Sequence, residues 1–295
     1  MFEKKDPLDL DVRLLNMTCI VSAKCGSRLY TGTAFFYSQL ENGFTGPINE
    51  EKQIGWKKVE HICLVTNRHV VFPHIKGEQD QQKELIPDTF TFFLRKLVKN
   101  QIEWFPVAIT KDDLVKRTRF HSNAGVDLAC IDVYDLVFDA RVKDNSILNI
   151  GHLTNYDLPA NQPLKIETTS DIIVCSYPKG FYDNVNKFPI IKSGIIASGW
   201  GIDFNGRPTF LIDSKLFPGS SGGLVLSKPV DVAMINGQLM KNEHKQFVFL
   251  GVYSGEYSFQ EKKEDGTLHN EYYGLGNVWY SYLIPEIVNN GVKYI

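Results

Sequence analysis

Several features that would assign a chain to the membrane, secreted or nucleic-acid-binding classes are missing from this sequence of 295 residues. No run approaches the roughly 18 apolar residues of a membrane-spanning helix, and residues 1–7 lack the apolar core of a secretory signal. The formal net charge of −2 gives no excess of the positive charge that nucleic acids and membrane surfaces select. We therefore expect a cytoplasmic protein with no nucleic-acid or membrane partner.

Cysteine is scarce, and its number is odd. The five cysteines are Cys19, Cys25, Cys63, Cys130 and Cys175. Four of them lie in apolar, strand-like contexts, which favours reduced, buried thiols over a disulfide framework.

Metal-ligand spacing is also missing from the histidines outside the motifs described below. These are His61, His74, His121, His152, His244 and His269. Since a metal site needs several such ligands at suitable spacing, we expect surface or structural histidines, no metal and no cofactor.

Helical periodicity is scarce, whereas short β runs separated by turn residues are many. This pattern is typical of an all-β barrel or sandwich. Two short helices are expected, one just after His69 and one beginning near Ile284 and Pro285. The predicted strands span 19–23, 32–37, 61–66, 89–95, 104–109, 128–132, 164–168, 171–176, 188–200, 209–212, 223–226, 247–254 and 272–280.

The least strand-like stretch near the middle of the chain predicts a domain boundary. We expect an N-terminal extension at 1–16, a first β domain at 17–145, a linker at 146–163 and a second β domain with the C-terminal helix at 164–295. Two polar insertions, 39–58 and 73–88, are too long for simple hairpin loops. Long loops on a compact β scaffold are often functional.

The most informative motif is a Gly-x-Ser-Gly-Gly turn at 219–223 that leads into an apolar strand. Its glycines let backbone N–H groups converge, so the turn can offer a nucleophile and an anion-binding hole together. Upstream, His69 follows an apolar strand and Asp127 opens another. With Ser221, they have the residue types of a base-activated serine nucleophile. The neighbouring Ser220 is the other candidate for the nucleophile.

Residues 32–36, 64–71, 126–133 and 219–225 resemble the four signature blocks of the chymotrypsin-like (trypsin-like) serine peptidases. The resemblance spans about 18–288 and is closest to the HtrA-like bacterial branch without its PDZ domain, since 213–218 and 176–180 resemble two further segments of that branch. It implies two packed six-stranded antiparallel barrels with a short C-terminal helix, and a protein or peptide substrate.

The resemblance also implies a role for each site residue. His69 is the general base, Asp127 orients it, Ser221 is the nucleophile, and the N–H groups of Gly219 and Ser221 form the oxyanion hole. Ser254 would support Asp127, although a serine in an ordinary strand is the alternative.

Substrate selection is weakly encoded. Lys215, six residues before Ser221, could lie at the floor of a specificity pocket with Ser254, Gly255 and Glu256 as its wall. Alternatively, Lys215 points to solvent or pairs with Glu256.

One position departs from the digestive relatives. They are activated through an aspartate just before the nucleophile, where this chain has the uncharged Ser220. We therefore expect an activating partner or ligand that orders the turn at 217–221. The competing hypotheses are a catalytically vestigial binding or scaffold module and an esterase.

Overall fold

The computed structural model describes residues 10–41, 58–76, 82–148, 150–235, 238–262 and 268–294. The described α-helices are α1 (Leu10–Met17), α2 (Arg68–Val71), α3 (Lys111–Arg117), α4 (Tyr134–Lys143) and α5 (Leu283–Asn290). The strands are β1 (Thr18–Cys25), β2 (Arg28–Leu40), β3 (Val59–Thr66), β4 (His74–Lys76), β5 (Gln82–Glu84), β6 (Thr89–Val98), β7 (Gln101–Thr110), β8 (Thr118–Phe120), β9 (Ala129–Asp132), β10 (Leu153–Thr154), β11 (Asp171–Ser176), β12 (Ile190–Ile196), β13 (Thr209–Asp213), β14 (Leu224–Ser227), β15 (Val230–Ile235), β16 (Gln238–Gln246), β17 (Phe249–Lys262), β18 (Leu268–Tyr280) and β19 (Val292–Lys293).

The second half of the chain contains a closed barrel. Its strands follow one another in the order β11-β12-β13-β18-β17-β14, and every neighbouring pair is antiparallel. Closure pairs every strand on both sides and leaves no edge. The barrel core contains Ile172, Phe210, Val225 and Val278, all fully buried.

The first half forms a nine-stranded sheet with the order β19-β8-β9-β3-β2-β1-β6-β7, and β10 pairs with β2 off this path. Its core is made by the alternate residues of each strand that point to one face, as the two-residue period of a strand requires. On β2, Ala34 and Phe36 point into this core, while Phe35 and Tyr37 point the other way.

The two halves meet across a shared apolar core. Phe35 of β2 packs edge-on against Phe249 of β17, with ring centroids 5.4 Å apart. Trp279 of β18 and Ile284 of α5 belong to the same cluster. Because this close-packed core fixes the position of one sheet relative to the other, it also fixes where residues of the first sheet lie against a turn of the barrel.

The expected all-β fold with a six-stranded antiparallel barrel and a short C-terminal helix is confirmed. Pro285 lies in the first turn of α5, as its fixed φ and missing N–H allow. The first domain was expected to be a six-stranded barrel, but its ladders form a longer open path. Part of the second domain also belongs to this sheet, since β19 at the chain end pairs with β8.

Other expectations were wrong in detail. Residues 164–168 form no strand, and Leu164 and Ile166 pack against the barrel core without a ladder. Helices α1, α3 and α4 were not predicted. In the expected linker, β10 adds a short parallel ladder to β2. Of the two insertions, residues 42–57 and 77–81 lie outside the described residues, and β4 pairs with β5 in the second.

All five thiols are free, and all but that of Cys25 are buried. Burial raises the pKa of Cys63 and of Cys175 to about 12, so both are neutral at pH 7. Of the helices that the structure describes, none is long and apolar enough to cross a membrane.

His152 is a structural histidine. Its Nδ1 lies 3.0 Å from Ser38 Oγ, and its ring packs on Phe36. Burial, and to a smaller extent the Arg141 guanidinium, lowers the pKa of His152 to about 4.

This histidine should make the fold sensitive to acid. An unfolded chain has a histidine pKa near 6.5, and a tenfold change in the acid dissociation constant on folding corresponds to about 1.4 kcal/mol. Because the folded pKa is the lower one, the full contribution is present above about pH 6.5 and is lost as the pH falls towards 4, on the order of 3 kcal/mol in total. Urea unfolding at several pH values should show this loss in the wild type and a shallower one in His152→Asn. Equal slopes in both proteins would contradict it.

Candidate active site

His69 and Asp127 form a tight pair at one edge of the first sheet. Helix α2, which carries His69, starts directly after β3, and Asp127 lies just before β9, the neighbour of β3. His69 Nδ1 lies 2.7 Å from Asp127 Oδ2, and the His69 backbone N–H donates to Asp127 Oδ1 at 3.0 Å. Two contacts from one residue hold the imidazole in a single orientation towards the carboxylate.

Ser254 completes the environment of the carboxylate, as the resemblance implied. Its hydroxyl donates to Asp127 Oδ2 at 2.8 Å. Burial pushes the pKa of Asp127 upward, but the hydrogen bonds from His69 and Ser254 and the His69 charge outweigh burial and hold that pKa below its usual value. The carboxylate is therefore ionised at neutral pH and favours a proton on Nδ1 of His69, which leaves Nε2 as the acceptor.

Asn67, which sequence analysis missed, connects this pair to the serine turn. Its side-chain Nδ2 donates to the Asp127 carbonyl at 2.9 Å, and its Oδ1 accepts from the Gly222 N–H at 2.5 Å. Asn67 is fully buried. The only sequence signal for it is its position two residues before His69.

The Ser221 turn has the backbone geometry that its glycines predicted. Gly219 and Gly222 have φ values of +88° and +81°, a region that favours glycine. A Cβ on Gly222 would lie 2.0 Å from the Thr33 carbonyl oxygen and 2.2 Å from Thr66 Oγ1. The turn is therefore pressed closely against the first sheet.

Ser221 itself differs from expectation in one respect. A base-activated nucleophile would direct its hydroxyl towards His69, but the Ser221 hydroxyl donates to the Ser254 carbonyl at 2.9 Å. A hydroxyl has one proton to donate, so in this conformer the donor is not directed at His69. The carbonyl that receives it belongs to the residue whose side chain supports Asp127.

Ser220, the rival nucleophile, is fully buried. Its hydroxyl accepts a hydrogen bond from Ser176 Oγ at 3.1 Å. A buried hydroxyl engaged in this way has no access to a substrate carbonyl. The residue just before Ser221 is thus satisfied within the barrel by a neutral pair of hydroxyl groups.

Two backbone donors in the turn are free. Within the part of the chain that the structure describes, the N–H groups of Gly219 and Ser221 have no acceptor, whereas those of Ser220 and Gly222 are engaged. Free N–H groups on either side of a serine can receive a developing negative charge.

Three of the four predicted specificity residues line one cavity. Ser254, Gly255 and Glu256 border a space of about 350 Å³ that also touches Asp127 and Arg207. Lys215, placed at the floor by its sequence spacing, is not among the residues that line this cavity; its side chain is exposed, and its carbonyl accepts from Lys192 Nζ. The alternative that Lys215 points to solvent describes its position better.

A larger cavity of about 740 Å³ is bordered by His69 and Asp127. One wall is an ion pair in which the Arg68 guanidinium donates to Glu84 at 2.6 and 2.9 Å. This pair anchors strand β5, which pairs with β4, to the helix that carries His69. Asp127 borders both this cavity and the smaller one.

A metal centre finds no support in the described ranges. They contain no group of three or more His, Cys, Asp or Glu side chains that could hold an ion.

The close packing of Gly222 predicts a large effect of a single methyl group. In Gly222→Ala the new Cβ collides with backbone at a left-handed φ, so we expect unfolding to become easier by more than about 3 kcal/mol. Gly255→Ala is the matched control, because a Cβ there meets nothing within 4 Å. Urea denaturation compares the two variants. A Gly222→Ala protein as stable as Gly255→Ala would show that the turn is looser than described.

Comparisons with known proteins find similarity at the level of solved structures only. No family model and no curated protein matches the sequence. An inactive mutant of Rv3671c from Mycobacterium tuberculosis is 15% identical, with a TM-score of 0.43, and the alignment covers 98% of this chain and 95% of that one. A thermostable serine protease, AL20, from an extremophilic microorganism is 12% identical at a TM-score of 0.41, covering 93% and 96%. Tobacco etch virus protease in complex with product is 9% identical at 0.46, covering 99% and 87%. These structural neighbours are proteases, but likenesses this distant decide no residue's role.

Proposed function

We propose that this chain is a serine endopeptidase of the chymotrypsin-like type, with Ser221 as nucleophile, His69 as general base and Asp127 as the group that orients it. The observation that carries the proposal is the 2.7 Å contact between His69 Nδ1 and Asp127 Oδ2. A carboxylate on Nδ1 directs the basic Nε2 outward, and a serine turn with free N–H groups lies across the same cleft.

Acylation follows from these groups. The Ser221 hydroxyl turns from the Ser254 carbonyl towards His69, loses its proton to Nε2, and its oxygen attacks the carbonyl carbon of a peptide bond. The imidazolium formed is stabilised by the Asp127 carboxylate. The negative charge that develops on the carbonyl oxygen is received by the N–H groups of Gly219 and Ser221, and loss of one such donor typically costs about 10²–10³ in rate.

The second half of the reaction reverses these roles. As the tetrahedral intermediate collapses, the C–N bond breaks and His69 gives its proton to the leaving amine. Water, deprotonated by His69, then attacks the Ser221 ester; as this second tetrahedral intermediate collapses, the bond from the carbonyl carbon to Ser221 Oγ breaks, His69 returns the proton to Oγ, and the acid is released. The larger cavity beside His69 would accept the leaving segment of the substrate, and the cavity beside Ser254 would accept the acyl segment.

An activating partner or ligand stays part of this proposal. The turn on which it would act also has internal contacts, since Lys179 N–H donates to the Pro218 carbonyl and Ser220 N–H to the Phe217 carbonyl. We further propose a cytoplasmic enzyme related to the HtrA-like branch, which residues 213–218 and 176–180 resemble.

Chemical labelling tests the assignment of the nucleophile. A fluorophosphonate probe should modify Ser221 in the wild type and in Ser220→Ala, but not in Ser221→Ala or His69→Ala. Mass spectrometry of the labelled peptide identifies the site. Labelling that persists in Ser221→Ala and disappears in Ser220→Ala would reverse the assignment.

Turnover tests whether the residues act as one unit. Ser221→Ala and His69→Ala should each abolish cleavage of labelled casein, and the double variant should be no worse than either, because such residues are non-additive. A stable chain that neither cleaves casein nor takes the probe would favour the alternative of a vestigial binding module.

A further inference from the structure

Thr33 lies outside the three catalytic side chains, yet it contacts the serine turn at two points. It is on β2, in the first sheet, and is fully buried. Its backbone N–H donates to the Ser221 carbonyl at 2.9 Å, and its hydroxyl donates to the Gly219 carbonyl at 2.9 Å. The same strand thus holds both sides of Ser220.

The Thr33 hydroxyl uses its acceptor capacity as well. The Tyr177 N–H donates to Thr33 Oγ1 at 2.9 Å. Tyr177 begins the short turn in which Lys179, with a left-handed φ of 51°, donates its N–H to the Pro218 carbonyl at 2.6 Å. One hydroxyl therefore links β2, the Tyr177 turn and the serine turn.

These contacts determine where the free N–H groups point. In a trans peptide unit the C=O and the N–H point in opposite directions. The Pro218 carbonyl is bound by Lys179, so the Gly219 N–H of that unit points away from Lys179. The next unit is held through the Gly219 carbonyl by Thr33 and through the Ser220 N–H by Phe217.

Gly219 lies between these two held units, and glycine rotates readily about φ and ψ. Without a hydrogen bond on each side of Gly219, the peptide unit between Pro218 and Gly219 could flip. The Pro218 carbonyl would then point where the Gly219 N–H now points. The anchor on one side is Lys179 N–H. The anchor on the other is the Thr33 hydroxyl, which also holds the Tyr177 end of the segment that carries Lys179.

We propose that Thr33 is a positioning residue for this site. Its hydroxyl holds the Gly219–Ser220 peptide unit through the Gly219 carbonyl, so that the oxyanion hole is formed before substrate binds. This inference rests on the proposed peptidase function. It concerns the orientation of backbone donors and leaves the identity of the nucleophile unchanged.

The test compares four variants at two buried threonine positions. Thr33→Val keeps the shape and removes the hydroxyl, whereas Thr33→Ser keeps the hydroxyl. Thr18→Val is the matched control, since Thr18 is also buried and its Oγ1 has no partner within the described part of the chain. Thr33→Cys, which keeps a weak donor, serves if Thr33→Val does not fold.

The readouts are kcat and KM for cleavage of fluorescein-labelled casein, with urea unfolding to verify the fold. An oxyanion donor acts in the transition state, so Thr33→Val should lower kcat by about 10²-fold with KM nearly unchanged. Thr33→Ser should stay within about threefold of wild type, Thr18→Val should be unaffected, and Thr33→Cys should fall between Ser and Val.

The outcomes separate this inference from the proposed function. If the wild type cleaves casein and takes the fluorophosphonate probe, but folded Thr33→Val has the wild-type kcat, the role of Thr33 is wrong and the peptidase assignment stands. Thr33→Cys as active as Thr33→Ser would overturn the role equally. If the wild type shows neither cleavage nor labelling, the peptidase assignment itself fails.

Discussion

The site depends on the contact between strand β2 and the serine turn of the barrel. Thr33 holds the turn through its N–H and hydroxyl, and its carbonyl accepts a hydrogen bond from Thr66 Oγ1 at 2.7 Å. Thr66 ends β3, just before the helix that carries His69. His69 and Ser221 come from different sheets, so their relative position is set by these hydrogen bonds and the apolar core behind them.

The polar groups around the serine turn are paired with neighbouring groups of the two sheets. A buried hydroxyl or backbone group without a partner costs roughly 1–3 kcal/mol, and the described residues around the turn leave few such groups. Asn67 satisfies both the Asp127 carbonyl and the Gly222 N–H, and Ser176 satisfies Ser220. Within the turn at 219–223, the N–H groups of Gly219 and Ser221 have no acceptor among the described residues, and the proposed chemistry requires these two. The turn is preorganised because its other polar groups already have partners.

The sequence predicted the parts of the site that local chemistry encodes. Glycine at 219 and 222 signals the left-handed turn, and the strands beside His69 and Asp127 are apolar enough to be recognised. Thr33, Asn67 and Ser176 could not be found this way. They are ordinary residue types in ordinary elements, and the contact of Thr33 with Gly219 spans 186 positions along the chain. Helix α4 was missed because its exposed face carries three large apolar residues, Tyr134, Phe138 and Val142. Apolar residues on the solvent side remove the amphipathic pattern by which a surface helix is recognised in a sequence.

The central claim is that Ser221 is a base-activated nucleophile that forms an acyl intermediate. Pre-steady-state hydrolysis of p-nitrophenyl acetate tests it directly, because an acyl-enzyme that accumulates produces a burst of nitrophenol. The wild-type chain should show a burst stoichiometric with the protein, followed by slower turnover, and Ser221→Ala should show no burst. A wild-type chain without a burst, or a burst that survives in Ser221→Ala, would contradict it.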